Sequence, residues 1–130
     1  MDTKQLLAKI YSDLTDAPFD ESVGLIYAIR CAETKWVKLG YTQKTVERRR
    51  SALQVGCPYP LLIEHVWVGT PQDERNLHAA HHEVRGEGEW FFLDHDWCDD
   101  VELMTKEDLD AEYATDQLLL REKWESDGQA

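Results

Sequence analysis

Glu74, His78 and His82 stand four residues apart in the stretch ERNLHAAHH. On an α-helix that spacing puts a carboxylate and two imidazoles on one face, and such a set is able to bind zinc. The plainer reading of the same stretch is one packed and two exposed histidines among His78, His81 and His82. A second chemically suggestive group is the run Arg48-Arg49-Arg50. Val46, Arg49 and Leu53 share one helical face, which aims Arg49 inward and leaves its neighbours to solvent or to a nucleic-acid backbone. Trp36, Trp67, Trp90 and Phe91 lie near basic residues and could stack bases, but their strand-like spacing assigns them to the core.

These groups need elements to hold them. Leu6, Leu7, Ile10, Tyr11 and Leu14 recur at helical spacing over residues 3–14. Residues 23–31 and 36–41 are two β-forming runs separated by a four-residue polar gap, which predicts a β-hairpin. Residues 42–54 read as a helix, stopped by Gly56, Pro58 and Pro60. Residues 61–68 read as a third strand. Thr70, Pro71 and Asp73 form a helix start, and that helix is expected to reach about Val84. A turn follows at 85–89, then a short apolar segment at 89–93 that packs back on the core. A second capping signal at 105–108 opens a helix to about Trp124, with Leu109, Tyr113, Leu118, Leu119, Leu120 and Trp124 on its apolar face. The order predicts an α+β domain with a small, mostly antiparallel sheet.

Composition bounds the rest. The chain has 130 residues, 42% of them hydrophobic, and a formal net charge of −12. That fits one globular domain, since domains run to roughly 100–200 residues. The acidity argues against a uniformly basic nucleic-acid binder, but the charge is uneven. Residues 1–23, 24–93 and 94–130 carry −3, +1 and −10. The expected organisation is a lead-in helix at 1–22, a central domain at 23–93 and an acidic helical extension at 94–130. Cys31, Cys57 and Cys98 show neither paired nor metal-binding spacing. With no secretory signal or membrane span read in the chain, the expected location is cytoplasmic or nucleoid-associated.

Four blocks then occur in order: LIYAI at 25–29; VKLGYT at 37–42, followed by VERRRSALQ at 46–54; VGCPYPLLI at 55–63; and ERNLHAAHHEVRGEGEWFFL at 74–93. Together they resemble the GIY-YIG nuclease superfamily, and within it the phage-associated branch similar to the meiotically up-regulated gene 113 proteins. The resemblance covers about residues 23–93. It implies a three-stranded antiparallel sheet flanked by helices, here with extra N- and C-terminal helices. It implies a metal-dependent endonuclease acting on DNA with one Mg²⁺ or Mn²⁺ ion.

Carried over residue by residue, the resemblance makes Tyr27 the tyrosine that helps activate water and Glu74 the metal ligand. The transition-state arginine falls on Arg49 when counted back from Leu53, and on Arg48 when counted forward from Thr42. The second motif tyrosine is replaced by Lys38. Lys38 could bind phosphate in its stead, or Tyr41 could substitute, although strand alternation puts Lys38 and Gly40 on one face and Tyr41 on the other. His78 belongs to the Glu-x-x-Leu-His pattern. Glu89 stands where relatives often carry asparagine and is expected to support the site. The alternative is a catalytically reduced module that binds nucleic acid or protein. The acidic C-terminal helix is expected to shield the active face as a DNA-like decoy or dock a basic partner, or else simply to add solubility.

Overall fold

The computed structural model describes residues 3–15, 18, 20–97 and 114–123. It is an α+β fold in which helices pack on both faces of one antiparallel sheet. The elements run α1 (Thr3–Thr15), β1 (Gly24–Cys31), β2 (Trp36–Thr42), α2 (Val46–Gln54), β3 (Leu61–Gly69), α3 (Pro71–Ala80), a 3₁₀ turn (His82–Val84) and β4 (Trp90–Phe92). A last helical segment, α4, covers residues 114–123. The strand order is β3-β1-β2-β4.

The sheet therefore has four strands rather than three. The apolar segment at 89–93 does more than pack on the core: Trp90–Phe92 pairs with β2, with Trp36 opposite Phe92 and Lys38 opposite Trp90. The helix expected at 42–54 begins only at Val46, because Thr45 caps it by accepting the Arg48 amide. The helix expected to reach Val84 ends at Ala80, where the His81 amide turns back to the carbonyls of Ala79 and His78. Its start is as expected, with Thr70 and Asp73 capping each other reciprocally and Pro71 in the first turn. Residues 105–113 and 124 of the predicted C-terminal helix lie outside the described residues, as does Cys98. Cys31 and Cys57 are free thiols. Among the described residues no helix is long and apolar enough to cross a membrane.

Strand alternation divides the interior into two cores. Leu25, Tyr27, Ile29 and Val66 point to one face, where they meet Leu7 of α1, Val46 of α2, and Ala114 and Leu118 of α4. Ile26, Ala28, Val37, Leu39, Trp67 and Phe91 point to the other, where Leu77 of α3 and Trp97 cover them. Trp67 and Phe91 are core residues as expected. Trp36 is not: it is 39% exposed and rests edge-on against Phe92 at the outer end of the sheet. Its partner strand is only three residues long, too short to cover an indole from both sides.

β3 carries an irregularity. Ala28 pairs with His65 and Ile29 with Ile63, so Glu64 is an extra residue, a β-bulge. Its carboxylate receives Arg30 Nη2 at 3.0 Å and also the Arg30 Nε proton. The guanidinium is nearly wholly buried and also donates to the carbonyls of Leu93 at 3.0 Å and Asp94 at 3.1 Å. Trp97 Nε1 completes the cluster with a 2.7 Å bond to Glu64. This clamp ties β1, β3 and the chain after β4 together.

Candidate active site

Counting outward from the hairpin turn, Tyr27 lies directly across from Gly40. A Cβ at position 40 would come within 2.3 Å of Tyr27 Oη and 2.4 Å of its Cζ. The missing side chain is therefore what lets the phenol lie across β2. Tyr27 is 1% exposed. Arg49 Nε donates to its hydroxyl at 3.1 Å, the one side-chain hydrogen bond of Arg49 among the described residues. α2 supplies this contact because Arg49 lies one turn after Val46, which is buried in the same core. Of the two arginines that motif counting left open, Arg49 is the one that meets Tyr27. Arg48 points elsewhere, 61% exposed, and pairs with Glu122 of α4 at 3.5 Å. Arg50 pairs with Glu47 on its own helix.

Glu74, His78 and Glu89 converge next to this pair, each offering a donor atom within 4.8 Å of the others. Two backbone anchors on Leu39 explain the convergence. β4 covers the outer edge of β2 only as far as Lys38, so the amide and carbonyl of Leu39 are left facing outward. The Leu39 amide donates to the Glu89 carbonyl at 3.1 Å. The Leu39 carbonyl receives His78 Nε2 at 2.8 Å, while the His78 ring packs on Phe91 at 5.0 Å. Glu74 follows from the cap of α3, four residues before His78 on the same face. Lys38, with its side chain 13% exposed, places Nζ 3.8 Å from Glu89 and over the Trp90 ring.

The zinc triad Glu74-His78-His82 does not assemble. α3 ends at Ala80, so His82 leaves the helical face, becomes exposed and bonds the Ala79 carbonyl at 2.9 Å. His81, unlike His82, is half-buried rather than exposed: it packs edge-on against Trp97, and burial lowers its pKa. Tyr41 takes the opposite face from Lys38 and Gly40. Its hydroxyl donates to the Ser22 carbonyl, and its ring packs against Gly24, with the other core.

Electrostatics couples the two halves of the site. Burial is the largest influence on Tyr27 and pushes its phenol above the ordinary value; Arg49 pulls it down, and Glu89 and Glu74 raise it again. Burial also raises the Glu74 carboxyl, with Glu89 adding to the rise and His78, Arg75 and Lys38 opposing it. A carboxyl whose pKa is raised by folding contributes its stabilisation at low pH and loses it as pH rises through the raised value. Ionised Glu74 is therefore a liability to the metal-free fold at neutral pH. Glu74→Gln is expected to raise Tm by a few degrees at pH 7 and to change nothing at pH 3. Thermal melts at both pH values check this; an equal or lower Tm at pH 7 contradicts it.

Two structural residues escape a motif-based reading. Arg30 sits inside an apolar strand run without any flag. Gly40 is flagged, but only the register gives the reason. No protein-family model, curated protein or solved structure matches the chain.

Proposed function

We propose that this chain is a metal-dependent phosphodiesterase of the GIY-YIG type that cuts DNA. The observation that carries this reading is one juxtaposition: a tyrosine hydroxyl held by an arginine, beside a carboxylate–imidazole–carboxylate cluster at an open sheet edge. The finer fold proposal follows, with β1 to β3, α2 and α3 as the nuclease unit and β4 closing its edge.

Phosphodiester hydrolysis needs an oriented water, a charge clamp on the non-bridging oxygens and relief for the leaving oxygen. The cluster suits a divalent cation, because its donors stand close enough together to share one ion. When bound, such an ion supplies positive charge that lowers the pKa of water and offsets charge on the phosphate. Tyr27 accepts from Arg49 and keeps its own O–H to donate. Its raised pKa leaves the phenol neutral at pH 7, so its task is to orient water and pass on a proton, helped by nearby cations. Arg49 spends one N–H on Tyr27 and has its terminal nitrogens left for phosphate oxygens. Lys38 exchanges Glu89 for phosphate.

A second reading, a binding module without catalysis, is favoured by the Lys38–Glu89 pair and by the depth of Tyr27. The acidic extension bears on both readings, since Glu122 already occupies Arg48 and so shields part of the basic helix; a basic protein partner would release it.

Plasmid nicking with Mg²⁺ and with Mn²⁺ decides between them. Tyr27→Phe is expected to slow nicking by about 100-fold, the lower end of what a positioned acid–base group contributes. Glu74→Ala is expected to abolish it. A wild type that shifts DNA in a gel but nicks nothing under several metals establishes the binding module instead.

A further inference from the structure

We infer that the ion site is a three-ligand centre of Glu74, His78 and Glu89, and that it selects a transition-metal ion such as Mn²⁺, Co²⁺ or Zn²⁺ over Mg²⁺. The inference shares Glu74 with the nuclease proposal but does not need DNA cleavage.

His78 is anchored on the backbone of β2. A carbonyl oxygen only accepts, so the 2.8 Å contact with Leu39 fixes the hydrogen on Nε2. The neutral ring then has its lone pair on Nδ1. Anchoring one imidazole nitrogen on a backbone carbonyl while the other ligates is the arrangement that orients metal-binding histidines and raises their basicity. Here the anchor is a strand carbonyl on a sheet edge, and the Phe91 ring packs beside the imidazole. The ring is held before any ion arrives.

The backbones that carry the two carboxylates are anchored as well, Glu74 in the capped first turn of α3 and Glu89 by its own carbonyl on the Leu39 amide. All three donors therefore hang on the backbone of Leu39 or on the helix that packs over it. Donors sharing one ion at about 2.1 Å stand roughly 3 to 3.5 Å apart, so a set already within 4.8 Å needs only small side-chain rotations. Two carboxylates balance the charge of a divalent ion, and Lys38 offsets one of them while the ion is away.

The nitrogen sets the preference. Mg²⁺ favours an all-oxygen shell in near-ideal octahedral geometry, whereas imidazole suits Mn²⁺ through Zn²⁺ increasingly well. A single-carboxylate site filled out by water would favour Mg²⁺ or Mn²⁺ without such a bias. The helical alternative through His82 is replaced here by Glu89, fifteen positions after Glu74 and outside α3.

Metal binding without DNA tests this. Isothermal titration with MnCl₂ and MgCl₂ is expected to show Mn²⁺ binding at least about 10-fold tighter, and CoCl₂ is expected to give a visible absorption band characteristic of a nitrogen-containing site. His78→Gln should weaken Mn²⁺ by about 10- to 100-fold and remove the preference. Glu89→Gln should weaken both ions, and His82→Gln should change neither. If His78→Gln does not fold, as judged by circular dichroism, the Glu89→Gln and His82→Gln arms carry the test. Equal affinity for Mg²⁺ and Mn²⁺, no binding at all, or undiminished Mn²⁺ affinity in Glu89→Gln overturns the inference. A protein that binds Mn²⁺ selectively but nicks nothing overturns the nuclease proposal alone. One that nicks with Mg²⁺ and shows no Mn²⁺ preference overturns this inference alone.

Discussion

Arg30→Ala is expected to destabilise the fold by about 3–5 kcal/mol, the usual cost of removing one partner from a buried ion pair. The loss has three parts. Glu64 keeps its bond from Trp97 but loses the charge beside it. The Leu93 and Asp94 carbonyls lose their donors. The space left behind lies between β1, β3 and the chain that follows β4. Since small domains are stable by only about 5–15 kcal/mol, urea unfolding should show a large fall in midpoint. Arg30→Met combined with Glu64→Leu should cost far less, because it leaves no charge unpaired.

The same clamp sets an acid limit. Burial pushes the Glu64 carboxyl up, but the bonds from Arg30 and Trp97 and the Arg30 charge outweigh it and hold the net value below the ordinary one. A depressed carboxyl contributes stability above its unfolded pKa and loses it as pH falls through the folded value. Wild type should therefore lose stability below the ordinary carboxylate range, and Arg30→Ala should show a flatter acid dependence. A midpoint unchanged in Arg30→Ala contradicts the assignment of the clamp.

Gly40→Ala is the second large effect, and it reads the site rather than the scaffold. The new methyl would sit on the Tyr27 hydroxyl and ring, and Tyr27 has no room to move because it is packed among Leu25, Ile29 and Val46. Overpacking of this kind costs about 1–3 kcal/mol. If the chain is the nuclease proposed above, displacing the hydroxyl from Arg49 should lower nicking by about 100-fold, as an ångström's misplacement of a catalytic group does. Tyr27→Leu is the control for stability: in that background Gly40→Ala should cost much less, since the ring it strikes is gone. Additive costs in the double variant would show that the two residues do not press on each other.

Much of this arrangement is legible in the residues themselves. The two β-runs with a four-residue gap announce the hairpin, while the pairing of Tyr27 with Gly40 comes from its register. Thr70-Pro71-Gln72-Asp73 announces the start of α3, because capping chemistry is local. The inward face of Arg49 follows from its spacing to Val46 and Leu53. Alternation separates Lys38 and Gly40 from Tyr41, which the structure places on opposite faces.

Other features required the folded chain. The end of α3 at Ala80 rests on no local breaker, since the stretch His78 to Val84 contains neither glycine nor proline. Once the helix stops there, His82 is lost from the cluster. Glu89 replaces it because β4 pairs with β2, and a three-residue strand leaves too weak a pattern to read as one. The Glu64 bulge is invisible to a period-two reading, yet it turns Glu64 toward Arg30. Most of the elements, the caps and the strand faces can be read from the residues, because they depend on neighbours a few positions away. Which carboxylates meet which cations depends instead on strand pairing and on where packing stops a helix, and so is settled only in the folded chain.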